Sequence, residues 1–320
     1  MIMLLKKLVE IESPSGNEEE LKNFIKDFLA SCGYEIVEGE HFISTKSKSE
    51  LIITTHLDTT AVKSPFSTDE VYAYGTGVCD AKASIAAILE AAERGVDFTI
   101  AFFCDEEEDG KGSREFAEKW KYGRMAVVME PTDLKIASRH FGNLDLTVEV
   151  RGIQSHGSFP EAGVNAIERA FEMINELKRH FKVTPLKIRG GSEDHVIPDH
   201  CTVKLDVMIE PEVKLDEVLK KLEFLRDYGH YAVSNACDGF VSREVAGLLE
   251  RAMRSAGVDV EYSVMPSWTD ALNLKNRYDV VVWGPGEMQN CHTVMERVRL
   301  KDIEIARDVL IKLNEIIRQY

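Results

Sequence analysis

Two histidines and three carboxylates, all good ligands for divalent metals, stand at or near the ends of hydrophobic runs in this chain. His56 closes Leu51-Ile-Ile-Thr-Thr-His56, and Asp58 follows two residues later. Asp80 ends the glycine-broken stretch Tyr72-Ala-Tyr-Gly-Thr-Gly-Val-Cys-Asp80. Glu106 and Glu107 sit in Cys104-Asp-Glu-Glu-Glu-Asp109, Glu130 ends the run that begins at Met125, and His292 follows the turn Gly284-Pro-Gly286. A neutral imidazole is the commonest protein ligand to metals, and its second nitrogen needs an acceptor to fix the tautomer. Asp58 is placed to be that acceptor for His56.

Taken together, these residues suit two ions of the zinc class, each with one histidine and one glutamate and with Asp80 bridging. Cobalt and manganese accept the same donor types. Two such ions lower the pKa of a water and polarise a carbonyl oxygen. A general base must then stand near that water, and Glu106, beside Glu107, is the natural candidate. Each residue also has a plainer reading. Asp105 to Asp109 could be a solvated loop, Asp80 a helix cap, and His292 a core histidine. The coincidence of all of them at strand ends favours the metal reading.

The elements that must carry these residues follow from hydrophobic periodicity. Helical spacing runs over residues 2 to 10, then from Asn17, an expected N-cap, to Cys32-Gly33. Strands are expected at 34–37, 42–44, 51–55, 98–104 and 125–129, with helices at 81–94 and 113–120 between them. Strands alternating with helices, and site residues at strand ends, indicate an α/β fold with a largely parallel sheet. Near residue 142 the pattern changes to strict alternation, Leu144-Asp-Leu-Thr-Val-Glu-Val-Arg. A helix at 165–181, strands at 186–189 and 202–208, and a helix at 215–225 complete a small α+β unit. The first style returns with helices at 243–256 and 301–318 and a strand at 278–283. The expected organisation is therefore 1–143 and 237–320 forming one domain, with 144–236 inserted.

Composition narrows the function. The chain has 320 residues, 44% of them hydrophobic, and a formal net charge of -16. That charge opposes nucleic acid and anionic membrane surfaces as partners. The six cysteines are scattered, without a Cys-x-x-Cys, so neither a disulfide framework nor a zinc ribbon is indicated. The N-terminal stretch lacks the apolar core of a signal peptide, and no run reaches membrane-spanning length. A cytoplasmic protein is the expectation. A calcium module would explain the acidic run alone, leaves both histidines unused and lacks EF-hand spacing.

The motifs Thr55-His-Leu-Asp-Thr59, Gly75-Thr-Gly-Val-Cys-Asp-Ala-Lys82, Asp105-Glu-Glu with Gly112-Ser113, Glu130-Pro-Thr132, Gly152-Ile-Gln-Ser-His156 through Gly163-Val-Asn-Ala166, and Cys291-His-Thr-Val-Met-Glu-Arg297 resemble the zinc amidohydrolases and exopeptidases of the M20 type. The resemblance covers essentially the whole chain. It implies a zinc-exopeptidase-like catalytic domain interrupted by a ferredoxin-like domain that pairs two copies and acts as a lid. It also implies that His56, Asp80 and Glu130 bind one zinc and that Asp80, Glu107 and His292 bind the other. Glu106 would be the base, and Asp58 would orient His56. His156, in the inserted domain, would reach into the partner's site of a homodimer and stabilise the oxyanion.

The resemblance also has departures. The family often has asparagine at the position of His195 and arginine at that of Met208, where it holds the substrate's carboxylate. Arg139, His140 and His195 are the candidates to replace it. The expected activity is hydrolysis of an N-acylated amino acid, of the acetylornithine or acetyl-lysine deacetylase kind. An exopeptidase acting on short peptides is the alternative. An inactive binding relative is disfavoured because every ligand candidate and Glu106 are present. A charge of -16 does not favour a substrate tethered to an acidic carrier protein.

Overall fold

A computed structural model describes residues 1–319. It contains two compact units, one formed by Met1–Arg139 with Ser242–Tyr320 and the other by His140–Val241. The first unit is built on a sheet whose four central strands are parallel. These are Thr99–Phe103, Leu51–His56, Met125–Val128 and Asp279–Val282, in that spatial order. All four are buried almost throughout, which is why they read as unbroken apolar runs rather than alternating ones. Antiparallel strands flank them, Ile36–Glu38 and Phe42–Thr45 on one side and Ile136–His140 on the other.

Helices cover this sheet. Ala83–Ala92 is buried on nearly every side, and its alanines and isoleucines leave it no polar face. Leu300–Ile317 buries Ile303, Ala306, Leu310 and Leu313, the three-and-four spacing of a helix lying on a core. Helix Lys111–Lys119 is seated by Phe116, whose ring centroid lies 5.3 Å from that of Phe42, 5.2 Å from that of Phe103 and 5.4 Å from that of Trp120. Among the described residues, no helix is long and apolar enough to cross a membrane.

Two helix starts differ from the sequence expectation, and the reasons concern the site. The second helix begins at Glu19, and Asn17 does not cap it. The Asn17 N–H donates to the Pro14 carbonyl oxygen, while the buried Glu18 carboxylate accepts from the Asp105 N–H at 3.0 Å. The helix expected from Ala81 begins at Ala83 instead. It is preceded by the irregular turn Val78–Lys82, in which Asp80 is extended and the Asp80–Ala81 peptide is cis.

The second unit is a four-stranded antiparallel sheet in the order Lys182–Gly190, His200–Ile209, Gly142–Arg151, Gly229–Cys237. Its core takes alternate residues Leu144, Leu146, Val148 and Val150 from one strand and Cys201, Val203, Leu205 and Val207 from its neighbour. Helix Ala166–His180 buries Ala170, Met173, Ile174 and Leu177 within the same core. Asn165 caps it by accepting from the Ile167 N–H at 2.9 Å. Strand Gly229–Cys237 was not expected from the sequence. It lies at the edge of the sheet, no residue in it is fully buried, and Gly229, Ser234 and Asn235 dilute its alternation.

Phe116 locks the helix that follows the acidic loop onto the sheet. Phe116→Ala is expected to cost about 3–5 kcal/mol of stability, measured as a lowered urea midpoint with an unchanged slope. A loss below about 1 kcal/mol would show that this aromatic cluster does not hold the helix.

Candidate metal centre

The four parallel strands all deliver site residues at their C-terminal ends. His56 is the last residue of its strand. Asp105 to Glu107 follow the strand that ends at Phe103, Glu130 follows the one that ends at Val128, and the chain beyond Val282 turns back to His292. This is where open α/β sheets place their ligands. Within this centre, His56, Asp80 and Glu130 offer three donor atoms lying within 4.8 Å of one another. Asp80, Glu107 and His292 offer a second such group, so Asp80 is common to both.

The contacts show how the sharing works. Asp80 Oδ1 lies 3.0 Å from His56 Nε2, and its Oδ2 lies 3.3 Å from His292 Nε2. Glu107 Oε1 lies 3.0 Å from His292 Nε2, and Glu130 Oε2 lies 3.7 Å from His56 Nε2. On the other side of the His56 ring, Nδ1 is 3.0 Å from the Asp58 carbonyl oxygen and 3.4 Å from its carboxylate. Donation from Nδ1 to that carbonyl leaves Nε2 free to ligate.

Buried carboxylates supply the scaffold. The Asp58 carboxylate accepts from the Glu106 N–H and the Glu107 N–H, each at 3.0 Å, and from the Ser15 hydroxyl at 2.7 Å. With Glu18 on the Asp105 N–H, three consecutive backbone donors of the acidic segment are held. This is not a solvated loop. Glu296 does the same for Asp80, accepting from the N–H groups of Gly77, Cys79 and Asp80 at 2.9–3.0 Å. Those three donors thus find their acceptor in a carboxylate more than 200 residues away, at the irregular turn that precedes the helix at Ala83. Glu296 stood inside a sequence motif and Glu18 beside the expected start of the second helix, but nothing in their spacing marked either as an acceptor for remote backbone. Asp270, wholly buried, was also missed; its charge helps to raise Glu106 and Glu130.

The electrostatics show a site short of positive charge. Burial pushes the Glu106 carboxyl well above its ordinary range, with Glu130, Asp270 and Glu107 adding to the effect against the pull of His56. Glu130 is raised to about 8 by burial and by Asp80 and Asp270, again against His56. The carboxylates of Asp80 and Glu107 raise His292 to about 10. Burial opposes charge on His56, but Glu130, Asp58 and Asp80 outweigh it and raise the imidazole well above its usual value. Asp80 goes the other way. Its burial is outweighed by His292 and His56, which hold its carboxyl well below the carboxylate range. Protons on these groups do the work that cations would do. Glu130 Oε1 is buried with no hydrogen-bond partner among the described residues. The donor set of imidazole nitrogens and carboxylate oxygens fits two divalent ions.

A cavity of about 330 Å³ opens beside these groups, and Trp268, Thr269 and Met288 also line it. Arg139 is exposed on its strand and is not among the residues lining this cavity. His156 and His195 belong to the second unit, where their rings meet edge to face at 5.5 Å. There the Ser158 N–H donates to His156 Nδ1 at 3.1 Å, and the Gly157 N–H donates to the His195 carbonyl oxygen at 2.9 Å. Met208 lies opposite Lys182 in the strand register. Cys79, Cys104 and Cys291 are buried free thiols, as expected for packing residues.

Known proteins resemble this chain in sequence and in fold. Residues 138–228 match the family described as the M20 peptidase dimerisation domain. A peptidase M20 domain-containing protein of Schizosaccharomyces pombe is 32% identical over 341 residues, spanning 95% of this chain and 81% of its own length. The chain belongs to the M20 peptidase family. It is a metallohydrolase of the kind that acts on amide bonds. Another relative, a [LysW]-lysine/[LysW]-ornithine hydrolase of Sulfurisphaera tokodaii, is 25% identical across 98% of this chain and 94% of its own. Among solved structures, a dinuclear metal-binding M20 peptidase of Bacillus subtilis superposes with a TM-score of 0.78 at 15% identity, covering 99% of this chain and 97% of that one.

Removing Glu296 tests the scaffold. Glu296→Ala leaves three buried N–H groups without an acceptor, at a cost of about 1–3 kcal/mol each. It is expected to lower stability by about 3 kcal/mol or more and to deplete metal from both positions, because Asp80 is shared. Plasma mass spectrometry after dialysis measures the metal. Wild-type metal content together with wild-type stability would refute the assignment.

Proposed function

We propose that this M20 enzyme is a zinc-dependent deacylase of N-acylated amino acids, of the acetylornithine or acetyl-lysine deacetylase type. The observation that carries this reading is the pair of donor groups sharing Asp80 beside the buried carboxyl of Glu106. The relative named for lysine and ornithine supports an amino-acid product. Zinc would be held by His56, Asp80 and Glu130 and by Asp80, Glu107 and His292, and when bound it would supply the Lewis acidity that activates water and polarises the amide carbonyl.

Glu106 then takes the proton of the attacking water and returns it to the amide nitrogen as the C–N bond breaks. Water thus divides the substrate into a carboxylate and a free amine. A carboxyl group raised by burial is suited to both halves of that transfer near neutral pH. Asp58 serves it by holding its backbone N–H and that of Glu107. In the second unit, the Ser158 N–H occupies His156 Nδ1, which would leave Nε2–H as a donor for the oxyanion of the tetrahedral intermediate in the partner subunit's site of a homodimer. His195 and Arg139 are assigned to the substrate's polar groups. The dimerisation-domain match supports a homodimer paired through residues 144–236, and the net charge of -16 opposes nucleic acid and anionic membrane surfaces as partners.

Amine release decides the substrate class. Metal-stripped and zinc-reloaded protein are compared on N-acetylornithine, N-acetyl-lysine, N-succinyl-diaminopimelate and several dipeptides. Zinc-dependent turnover of an acylated amino acid is expected. Turnover of dipeptides alone would move the protein to the exopeptidases. Glu106→Gln is expected to keep its metal and lose about 10²–10⁴ in kcat; full activity in that variant would remove Glu106 as the base.

A further inference from the structure

A second cavity, of about 420 Å³, lies in the larger unit and shares no lining residue with the cavity at the metal centre. Lys82 stands in its wall. This lysine closes the motif Gly75-Thr-Gly-Val-Cys-Asp-Ala-Lys82 and has no part in the chemistry assigned above. Its side chain is 1% exposed, and its Nζ donates to the Ile11 carbonyl oxygen at 2.7 Å. An ammonium carries three N–H donors, so two remain. Among the described residues, no carboxylate stands within ion-pair distance of this nitrogen. Lysine is almost never fully buried unless it is paired, and a buried charge without a counter-charge is costly. An anion in the adjoining space would supply the missing partner.

The rest of the wall says what kind of anion. Val9, Pro14, Pro65 and Phe66 make an apolar side. Thr59 and Thr60 add hydroxyls that make no hydrogen bond among the described residues. The other charged groups at the cavity are exposed and already paired, Lys63 with Glu12 at 2.8 Å and Glu10 with Lys6 at 3.7 Å. A dianion such as phosphate would call for more than one buried cation, and no arginine lines the cavity. An amine would meet the charge of Lys82. One buried cation, two hydroxyls and an apolar wall suit a single negative charge on an apolar body.

We propose that this cavity binds a small monocarboxylate with an apolar tail, its carboxylate accepting from the Lys82 ammonium and from the hydroxyls of Thr59 and Thr60, and its tail lying against the apolar side. The site is separate from the metal centre but bears on its frame. Thr59 follows Asp58, and its methyl lies so close to Gly77 that a Cβ on Gly77 would stand 2.3 Å away. Gly77 is in turn one of the three residues held by Glu296.

The test is calorimetric titration of the zinc-loaded full chain at neutral pH with hexanoate, and with acetate, hexanol and hexylamine for comparison. Hexanoate is expected to bind at least about tenfold more tightly than each of the other three. Lys82→Met should abolish its advantage over hexanol. Thr60→Phe, which fills the cavity, should weaken hexanoate about tenfold while zinc content stays at the wild-type level. Thr60 is only half-buried, so this second variant decides the matter even where Lys82→Met fails to fold. Hexanoate binding that survives Thr60→Phe unchanged would place the carboxylate elsewhere, on the zinc ions for example, and would overturn the inference. So would wild-type affinity in folded Lys82→Met, equal affinity for acetate and hexanoate, or the absence of saturable binding.

Discussion

Carboxylates that accept hydrogen bonds from remote backbone hold this active centre together. Asp58 and Glu18 grip the N–H groups of Asp105, Glu106 and Glu107, and Glu296 grips those of Gly77, Cys79 and Asp80. Charge-assisted bonds of this kind are about twice as strong as neutral ones. They are needed because the groups they position repel one another. Glu107, Glu130 and Asp80 would separate if their backbones were free, and an exposed acidic loop would solvate its charges instead. The site is thus two layers of acid, an outer one spent on backbone and an inner one left for cations.

The inner layer explains why its protons sit where they do. Asp80 stays ionised between two imidazoles, while Glu106 and Glu130 are pushed up by burial and by neighbouring carboxylates such as Asp270. One cluster therefore contains both a firmly ionised bridge and a carboxyl able to exchange a proton near neutrality. The same separation of roles recurs wherever two neighbouring acids do different chemistry. Here the parallel sheet makes it possible, since its buried strands end together and leave their last residues under a common roof of loops.

Much of this could be read in the amino-acid sequence, for identifiable reasons. The parallel strands were legible because burial on both faces leaves unbroken runs such as Met125-Ala-Val-Val-Met129. The residues that gather at the candidate metal centre stood out because histidine and acid at strand ends are chemically conspicuous. The insertion was legible because Leu144 to Arg151 switches to period two. What escaped had no local signature. Glu296 and Gly77 are 219 residues apart, and Glu18 and Asp105 are 87 apart, so no window contains both partners. Strand Gly229–Cys237 was hidden by its half-exposed edge position, and Asn17 was misjudged because Glu18 was needed elsewhere. The role of Asp58 was only half legible: its main-chain carbonyl lies nearest the histidine, and its carboxylate serves the loop.

The bond between Glu296 and the Asp80 backbone also orders events in time. The two residues are 216 positions apart, and translation adds roughly 5–20 residues per second. A growing chain therefore carries Asp80 for roughly 10–40 seconds before its anchor leaves the ribosome. Through that interval the inserted unit, whose core draws only on its own residues, can fold while the larger unit waits open for its last strand and helix. Any ion captured early would meet His56 and Glu130 without a fixed bridge. The finished centre is thus a property of the completed polypeptide, and a ribosome that stalls between the two halves releases a product with the acids but not the geometry.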